Sequence, residues 1–120
     1  MPYEVTVAED GRYVRVTVEG PMTVALAEEI FPRAIEAGAS AGVTAYLYDL
    51  RASRNVESVL DNYEYANEPS APFEHRNRIA LLVATDDRSH DFVETVFRNA
   101  GYSVLIFRGD EPEAIRWLTN

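Results

Sequence analysis

Hydrophobic and polar positions alternate through the first twenty residues of the chain. Residues 3–8 and 12–19 both follow this period of two, which is typical of half-buried strands. Glu9-Asp10-Gly11 lies between the two runs and is a turn sequence, so we expect an antiparallel hairpin. Gly20-Pro21 is expected to end the second strand, because proline has no N–H to donate to a strand ladder.

From Thr23 onward the apolar residues recur every three or four positions, which predicts a helix. Thr23 is its expected amino-terminal cap and Gly38 its expected end, with a kink at Pro32 inside it. The same spacing predicts a shorter helix over residues 56–63, capped by Ser53 or Asn55.

Residues 43–50 and 79–84 are apolar almost throughout. Runs of this kind are typical of strands that are buried on both faces, so we expect two inner strands of a parallel sheet. The first run places Asp49 at the carboxyl end of its strand. In open α/β sheets, ligands and partners usually dock at that edge, but for Asp49 itself we favour a structural role, in which it caps the next helix and binds loop amides.

The last third of the chain continues the alternation of strand and helix. A helix follows Asp87, a strand covers residues 102–107, and Asp110 with Glu113 forms a capping box for a final helix that should bury Trp117. The predicted fold class is α/β: one domain over residues 1–120, with a mixed five-stranded sheet and about four helices. The sheet begins with the antiparallel hairpin and continues with parallel β-α units.

The residue types that the chain lacks limit its possible functions more than the residue types that it contains. The chain has no cysteine and no lysine, which excludes disulfides, thiolate metal sites and lysine catalysis. Its net charge of −9 opposes binding to nucleic acid. His75 and His90 lack the spacing of a metal site, although Asp86, Asp87 and Asp91 form an acidic cluster in which magnesium is conceivable.

Neither a membrane segment nor a catalytic motif is apparent. No apolar run is long enough for a membrane span, and the amino terminus lacks the features of a signal peptide, so we expect a cytoplasmic protein. The sequence contains no glycine-rich phosphate loop, and no Ser-His-Asp grouping can be assembled from it. We therefore expect a protein that is not an enzyme and uses no cofactor.

Several segments resemble the SpoIIAA-like proteins, or STAS domains, and especially their small stand-alone branch, which is related in fold to the CRAL-TRIO lipid carriers. The resemblance lies in the order and spacing of five segments along nearly the whole chain. These segments are residues 18–23, 30–32, 48–51, 78–83 and 107 with 114–118. The resemblance implies a SpoIIAA-like fold.

The resemblance also implies a function and a site. In the anti-sigma-factor antagonists of this family, a partner kinase phosphorylates a serine at the start of the second helix. The corresponding residue here is Ser58, which is preceded by Glu57 but lacks the second serine and the glycine of the family motif. Arg51 and Arg54 are candidates to hold an anion at that helix start.

We therefore expect a regulatory, protein-binding domain. The predicted partner surface consists of Asp49, Arg51, Ser53, Arg54, Asn55, Glu57 and Ser58. The alternative is a carrier of a small apolar, lipid-like ligand, with Tyr63, Tyr65 and Phe73 lining its pocket under the loop of residues 67–77. A homodimer formed through a strand edge or a helix face is also expected.

Overall fold

The strands and helices occur in the order β1 (Tyr3–Val7), β2 (Val14–Met22), α1 (Val24–Ala41), β3 (Ala45–Asn55), β4 (Arg78–Val83), α2 (Asp91–Asn99), β5 (Ser103–Arg108) and α3 (Glu111–Thr119). The structure, a computed structural model, describes residues 2–57, 61, 64, 67 and 77–120. The predicted helix over residues 56–63 lies mostly outside this range, although Asp61 and Glu64 are helical.

The five strands form one mixed sheet in the order β1-β2-β3-β4-β5. β1 pairs antiparallel with β2, as the hairpin pattern predicts, and every later neighbour is parallel. The α/β class and the mixed five-stranded sheet are therefore confirmed. No helix in the described ranges is long and apolar enough to cross a membrane.

Helices cover both faces of the sheet. On one face, Tyr46 and Tyr48 of β3 pack in a core with Ile30 of α1 and Phe97 of α2. On the other face, Leu47 of β3 packs in a second core with residues of α3. This division follows from the alternation of side chains along a strand, and it explains why β3 and β4 are apolar at almost every position.

Helix α1 begins at the predicted cap but ends later than predicted. The Thr23 hydroxyl accepts the N–H of Leu26 at 3.1 Å, whereas the helix passes through Gly38 and ends at Gly42, whose φ is 73°. The expected end at Gly38 is wrong because this glycine serves packing instead. A Cβ added there would overlap the hydroxyl oxygen of Tyr46.

Two strand ends also differ from the prediction. β2 continues through Gly20 and Pro21 to Met22, and β3 continues through Arg51 to Asn55, because these two segments pair with each other. Pro21 is therefore inside a strand rather than beyond its end. Asp49 is likewise inside β3, opposite Leu82 of β4, and not at the carboxyl end of the strand.

The final helix docks on the sheet as expected, although Trp117 is only half-buried. Asp110 accepts the N–H of Glu113 at 3.1 Å, which confirms the predicted cap. The Trp117 ring lies 5.9 Å from the ring of Phe107, and the guanidinium of Arg78 lies 5.6 Å from its centre. An indole stacked under a surface arginine keeps part of its area in water.

Candidate partner-binding surface

β2 and β3 extend beyond the last residue pair that β3 forms with β4. That last pair is Asp49 with Leu82, whereas the pairing of β2 with β3 continues to Met22 and Asn55. We call the two paired segments beyond this point, residues 19–22 and 52–55, the β2–β3 extension. The candidate surface therefore continues beyond the part of the sheet in which β3 is paired with β4.

A register shift marks the start of the extension. Thr17 pairs with Asp49 but Glu19 pairs with Ala52, so β3 contains one additional residue at this point. Such a bulge reverses which side chains of a strand face a given side of the sheet. As a result Ser53 is buried, while the side chain of Arg54 is 69% exposed.

The missing β4 neighbour is replaced by side chains from the segment before α2. His90 donates its Nε2–H to the carbonyl of Ser53 at 3.1 Å, and the Ser89 hydroxyl accepts the N–H of Asn55 at 3.0 Å. These bonds satisfy backbone groups of β3 that would otherwise face an unpaired edge. No sequence pattern indicates this role for His90, because the role depends on where β4 ends.

His90 is almost completely buried, with 2% of its surface exposed. Burial lowers the pKa of this imidazole, and this effect outweighs the opposing hydrogen bond with Ser53 and the negative charges of Asp87 and Asp91. The carboxylate of Asp87 lies 3.7 Å from Nε2. His90 is therefore neutral over a wider pH range than a solvated histidine.

Asp49 is engaged in an ionic network that joins β2, β3 and the start of α3. Arg15 donates to Asp49 and to Glu111, both at 2.8 Å, and Arg51 donates to Asp49 through Nε and Nη2 at 2.9 and 2.7 Å. Burial raises the pKa of Asp49, but the hydrogen bonds from Arg51 and the charges of Arg51 and Arg15 outweigh it and hold the pKa below its ordinary value.

This network gives Asp49 a structural role rather than the predicted position at an open strand end. Its side chain is only 10% exposed. Arg51 also donates a hydrogen bond to Glu111, at 3.2 Å. Its guanidinium could therefore hold an external anion only by breaking one of these internal pairs. Arg15 and Glu111 were not predicted as members of this site, because only the strand register brings them together.

The remaining predicted site residues have separate roles. Asn55 accepts the N–H of Glu57 at 3.0 Å, and Glu57 accepts the N–H of Val24 at 3.1 Å, so its carboxylate lies at the positive end of α1. Ser53 and Asn55 belong to β3, and the start of the helix that one of them was predicted to cap lies outside the described residues. The hydroxyl of Ser53 is buried without a hydrogen-bond partner among the described residues.

Four predicted residues lie outside the described part of the chain. They are the phosphosite candidate Ser58 and the pocket candidates Tyr63, Tyr65 and Phe73.

Arg54 and Val56 are the exposed features at the end of the extension. Arg54 has Asp87 at 3.8 Å as its ion-pair partner. Val56, the first residue of the helix predicted over residues 56–63, is 57% exposed. A large apolar side chain in water next to an exposed arginine is a combination that protein interfaces favour.

Small apolar cavities lie between α1 and α2, on the same side of the sheet as His90. Among the described side chains, one cavity of about 40 Å³ is lined by Phe31, Tyr48 and Leu50, and an adjoining one of about 30 Å³ by Phe31, Tyr48 and Val104. Pockets for drug-sized ligands measure ~300 Å³ or more. These two cavities are therefore too small to hold a lipid chain.

The acidic residues before and within α2 are engaged with arginines and backbone amides. Asp91 forms ion pairs with Arg108 and with Arg88, and Asp87 accepts the N–H of Ser89 at 2.8 Å. Within the described ranges, no group of three or more histidine and acidic side chains is arranged to hold a metal ion.

Comparison with known proteins supports the fold. An uncharacterized protein of the DUF3478 family from Shewanella loihica PV-4, whose crystal structure has a SpoIIAA-like fold, superimposes with a TM-score of 0.53. The two chains are 16% identical over 97% of this chain and 91% of the other. No protein-family model and no curated protein sequence matches the chain. The chain therefore has a SpoIIAA-like fold.

Proposed function

We propose that this protein is a non-catalytic, STAS-like regulatory domain that binds a protein partner through the end of the β2–β3 extension. The observation that carries this proposal is Val56, a large apolar side chain exposed beside Arg54 on a strand end held by hydrogen bonds. Rigid support lowers the entropy cost of binding, and an apolar residue next to an arginine is a frequent centre of binding energy.

The ionisable groups at the extension favour binding over catalysis. Asp49 is neutralised by two arginines, and Nε2 of His90 is committed to a backbone carbonyl. A general base needs a lone pair within reach of a substrate, whereas the Asp49 carboxylate is held by two arginines and the His90 ring is buried. The expected partner therefore offers an apolar spot next to acidic side chains, which would contact Val56 and Arg54.

The experiment that tests this proposal is affinity capture from cells of the source organism with four variants. Val56→Asp and Arg54→Glu alter the proposed surface. Ala39→Asp and Arg116→Glu make the same changes of charge at exposed positions of α1 and α3. We expect a protein that the wild type and the two controls retain to be lost from Val56→Asp and Arg54→Glu. Equal retention by all four variants would reject the surface.

A phosphoswitch at Ser58 is a further part of the proposal and rests on the resemblance to anti-sigma-factor antagonists. Ser58 directly follows Glu57, whose carboxylate binds the first turn of α1. A phosphate next to that carboxylate would add about two negative charges near the partner surface. Ser58→Ala and Ser58→Glu should then differ in what they capture, whereas identical capture would remove the switch.

The alternative function, carriage of a small apolar ligand, rests on the resemblance to the CRAL-TRIO lipid carriers. The cavities between α1 and α2 have the apolar lining that such a ligand needs, but they would have to enlarge to admit it. Native mass spectrometry with organic extraction distinguishes the two functions. A stoichiometric lipid-like molecule in the purified protein would favour the carrier, and an empty protein would favour the partner-binding domain.

A further inference from the structure

The sheet ends in two edge strands, β1 and β5, and their backbone groups are protected to different degrees. At β5, the carboxylate of Glu94 on α2 accepts the N–H of Ile106 at 2.6 Å. A helix side chain thus occupies a donor that would otherwise face outward. Natural proteins cover edge strands in this way to prevent them from pairing with other chains.

The hydrogen bonds at the two ends of β1 show which of its backbone groups face outward. Glu19 donates its N–H to the carbonyl of Pro2 at 2.8 Å, and Ala8 donates to the carbonyl of Tyr13 at 2.9 Å. The even-numbered residues of β1 therefore exchange hydrogen bonds with β2. Because these groups alternate sides along a strand, the N–H and C=O groups of residues 3, 5 and 7 point away from β2.

No described residue provides a hydrogen-bond partner for these outward groups of Tyr3, Val5 and Val7. β1 contains no proline and no basic residue, its register with β2 is uniform, and Glu4 is its one charged side chain. Val7, at the end of the strand, is 41% exposed. The β1 edge therefore presents both backbone groups and an apolar side chain to solvent.

We propose that a second copy of this chain pairs with β1, antiparallel and about a two-fold axis at Val5. In this register Tyr3 faces Val7 of the second copy, and Val5 faces Val5. All outward backbone groups of both chains then bond one another, and the two sheets become one of ten strands. A two-fold contact of this type requires one self-complementary surface, and the spacing of residues 3, 5 and 7 provides it.

The side chains fit this register on both faces of the strand. Glu4 faces Thr6 of the second copy, so no carboxylate directly opposes another. Val7 faces Tyr3 of the second copy, whose ring lies 5.8 Å from the guanidinium of its own Arg33. The exposed apolar area of Val7 is thereby covered by an aromatic ring.

The contact is small, because β1 has five residues. Interfaces that bury less than ~1,200 Å² in total are typically weak and transient. We therefore expect dimerisation that depends on concentration and becomes tighter with added salt, since salt screens the repulsion between two chains of net charge −9. Light scattering should give a mass that rises from 13.5 kDa with concentration.

The absence of native cysteine allows a direct test of the register. Glu4 and Thr6 of opposite chains would form a pair without mutual backbone hydrogen bonds, with Cα atoms ~4.5 Å apart, which a disulfide can bridge. A mixture of the Glu4→Cys chain and the Thr6→Cys chain should form a linked dimer under mild oxidation, and each variant alone should form at least several-fold less.

A second variant tests the hydrogen bonds. Val7→Pro removes an outward N–H and leaves the pairing of β1 with β2 intact. Because each copy carries the substitution, the symmetric dimer loses two hydrogen bonds. We expect the dissociation constant to rise about tenfold, with unfolding close to that of the wild type. Thr95→Ala, at an exposed position of α2, which packs on the opposite edge strand β5, should leave the dissociation constant unchanged. A mass of 13.5 kDa at every concentration, or equal linkage in the single variants, would overturn the proposal.

Discussion

At the scale of single residues, the most informative positions are those whose role depends on a distant part of the chain. Gly38 illustrates this. A glycine after a run of helical residues is a common helix end, but here the helix continues and the missing side chain makes room for Tyr46. The aromatic pattern of β3 was visible in the sequence, whereas its contact with α1 required the packed structure.

Replacing Gly38 tests this contact. The Gly38→Ala side chain would overlap the Tyr46 hydroxyl and lie 3.0 Å from the carbonyl oxygen of Val43, so α1 must shift. We expect a loss of ~1–3 kcal/mol in the free energy of unfolding, measured by urea denaturation. Ser40→Ala, on the exposed side of the same helix, should change this free energy by less than ~0.5 kcal/mol. A Gly38→Ala protein as stable as the wild type would contradict the packing described for this helix.

His90 predicts a dependence of stability on pH. Its pKa is lowered in the folded protein, so the unfolded chain binds a proton at pH values at which folded His90 does not. The stabilisation is therefore fully present above the ordinary imidazole pKa of ~6.5 and is lost as the pH falls from there through the lower folded pKa. Asp87, Asp91 and Arg54 are the charged groups that act on this imidazole.

The measurement is the free energy of unfolding of wild type and His90→Gln between pH 7.5 and pH 5. The glutamine amide can still donate to the Ser53 carbonyl but does not titrate, so its stability should change less with pH over this interval. Because His75 is present in both proteins, the difference between the two curves isolates His90. Parallel curves would show that His90 does not titrate differently on folding.

At the scale of strands and helices, the β2–β3 extension depends on the ionic network at its base. Asp49, Arg15, Arg51 and Glu111 connect two strands to the start of α3. The Asp49 carboxylate is shielded from solvent and bonded by two arginines. If it is removed, both positive charges lose a partner. The network therefore connects the base of the extension to the start of α3.

Asp49→Asn tests this role. The amide keeps the shape of the side chain but removes the charge that both arginines share, so we expect a loss of ~2 kcal/mol in the free energy of unfolding. Arg116→Gln, which breaks an exposed pair with Glu113, should cost less than ~0.5 kcal/mol in the same urea experiment. Similar losses in both variants would place Asp49 among ordinary surface charges.

Much of the architecture was predictable because it follows from local patterns. The turn at Glu9-Asp10-Gly11, the cap at Thr23 and the two apolar strands gave the hairpin, α1 and the inner strands. The ends of β2 and β3 were not predictable. Gly20-Pro21 normally ends a strand, and only mutual pairing after a bulge carries both segments further.

The position of the candidate site was predictable only in part. The apolar run predicted a strand end at Asp49, whereas β3 continues to Asn55 and Asp49 lies inside it. The bulge then decides which side chains are buried, so that Ser53 turns inward and Arg54 outward. His90 and Arg15 contact β3 through tertiary interactions that no spacing of residues in the sequence predicts.

At the scale of the whole molecule, the charge is distributed unevenly. The chain is strongly acidic overall, yet Arg51, Arg54 and Arg88 lie around the extension, and each is paired with an acid. The acids compensate much of this positive charge, but the side chain of Arg54 is 69% exposed and its guanidinium lies 3.8 Å from Asp87, so it can still contact an acidic group of a partner. We expect the rate of partner association, measured by stopped flow, to fall as the salt concentration increases. Dimerisation through β1, measured by light scattering, should instead become tighter. A salt series therefore distinguishes the two surfaces.

The central claim is that the end of β3 recognises a protein partner, and photocrosslinking from position 56 tests it most directly. A benzoylphenylalanine would replace Val56 in cells of the source organism, and Glu36, exposed on α1, would be replaced in a matched control. The account predicts a discrete adduct with a different protein from position 56, absent from position 36 and lost when Arg54→Glu is added. No adduct from position 56, or the same adducts from both positions, would contradict it.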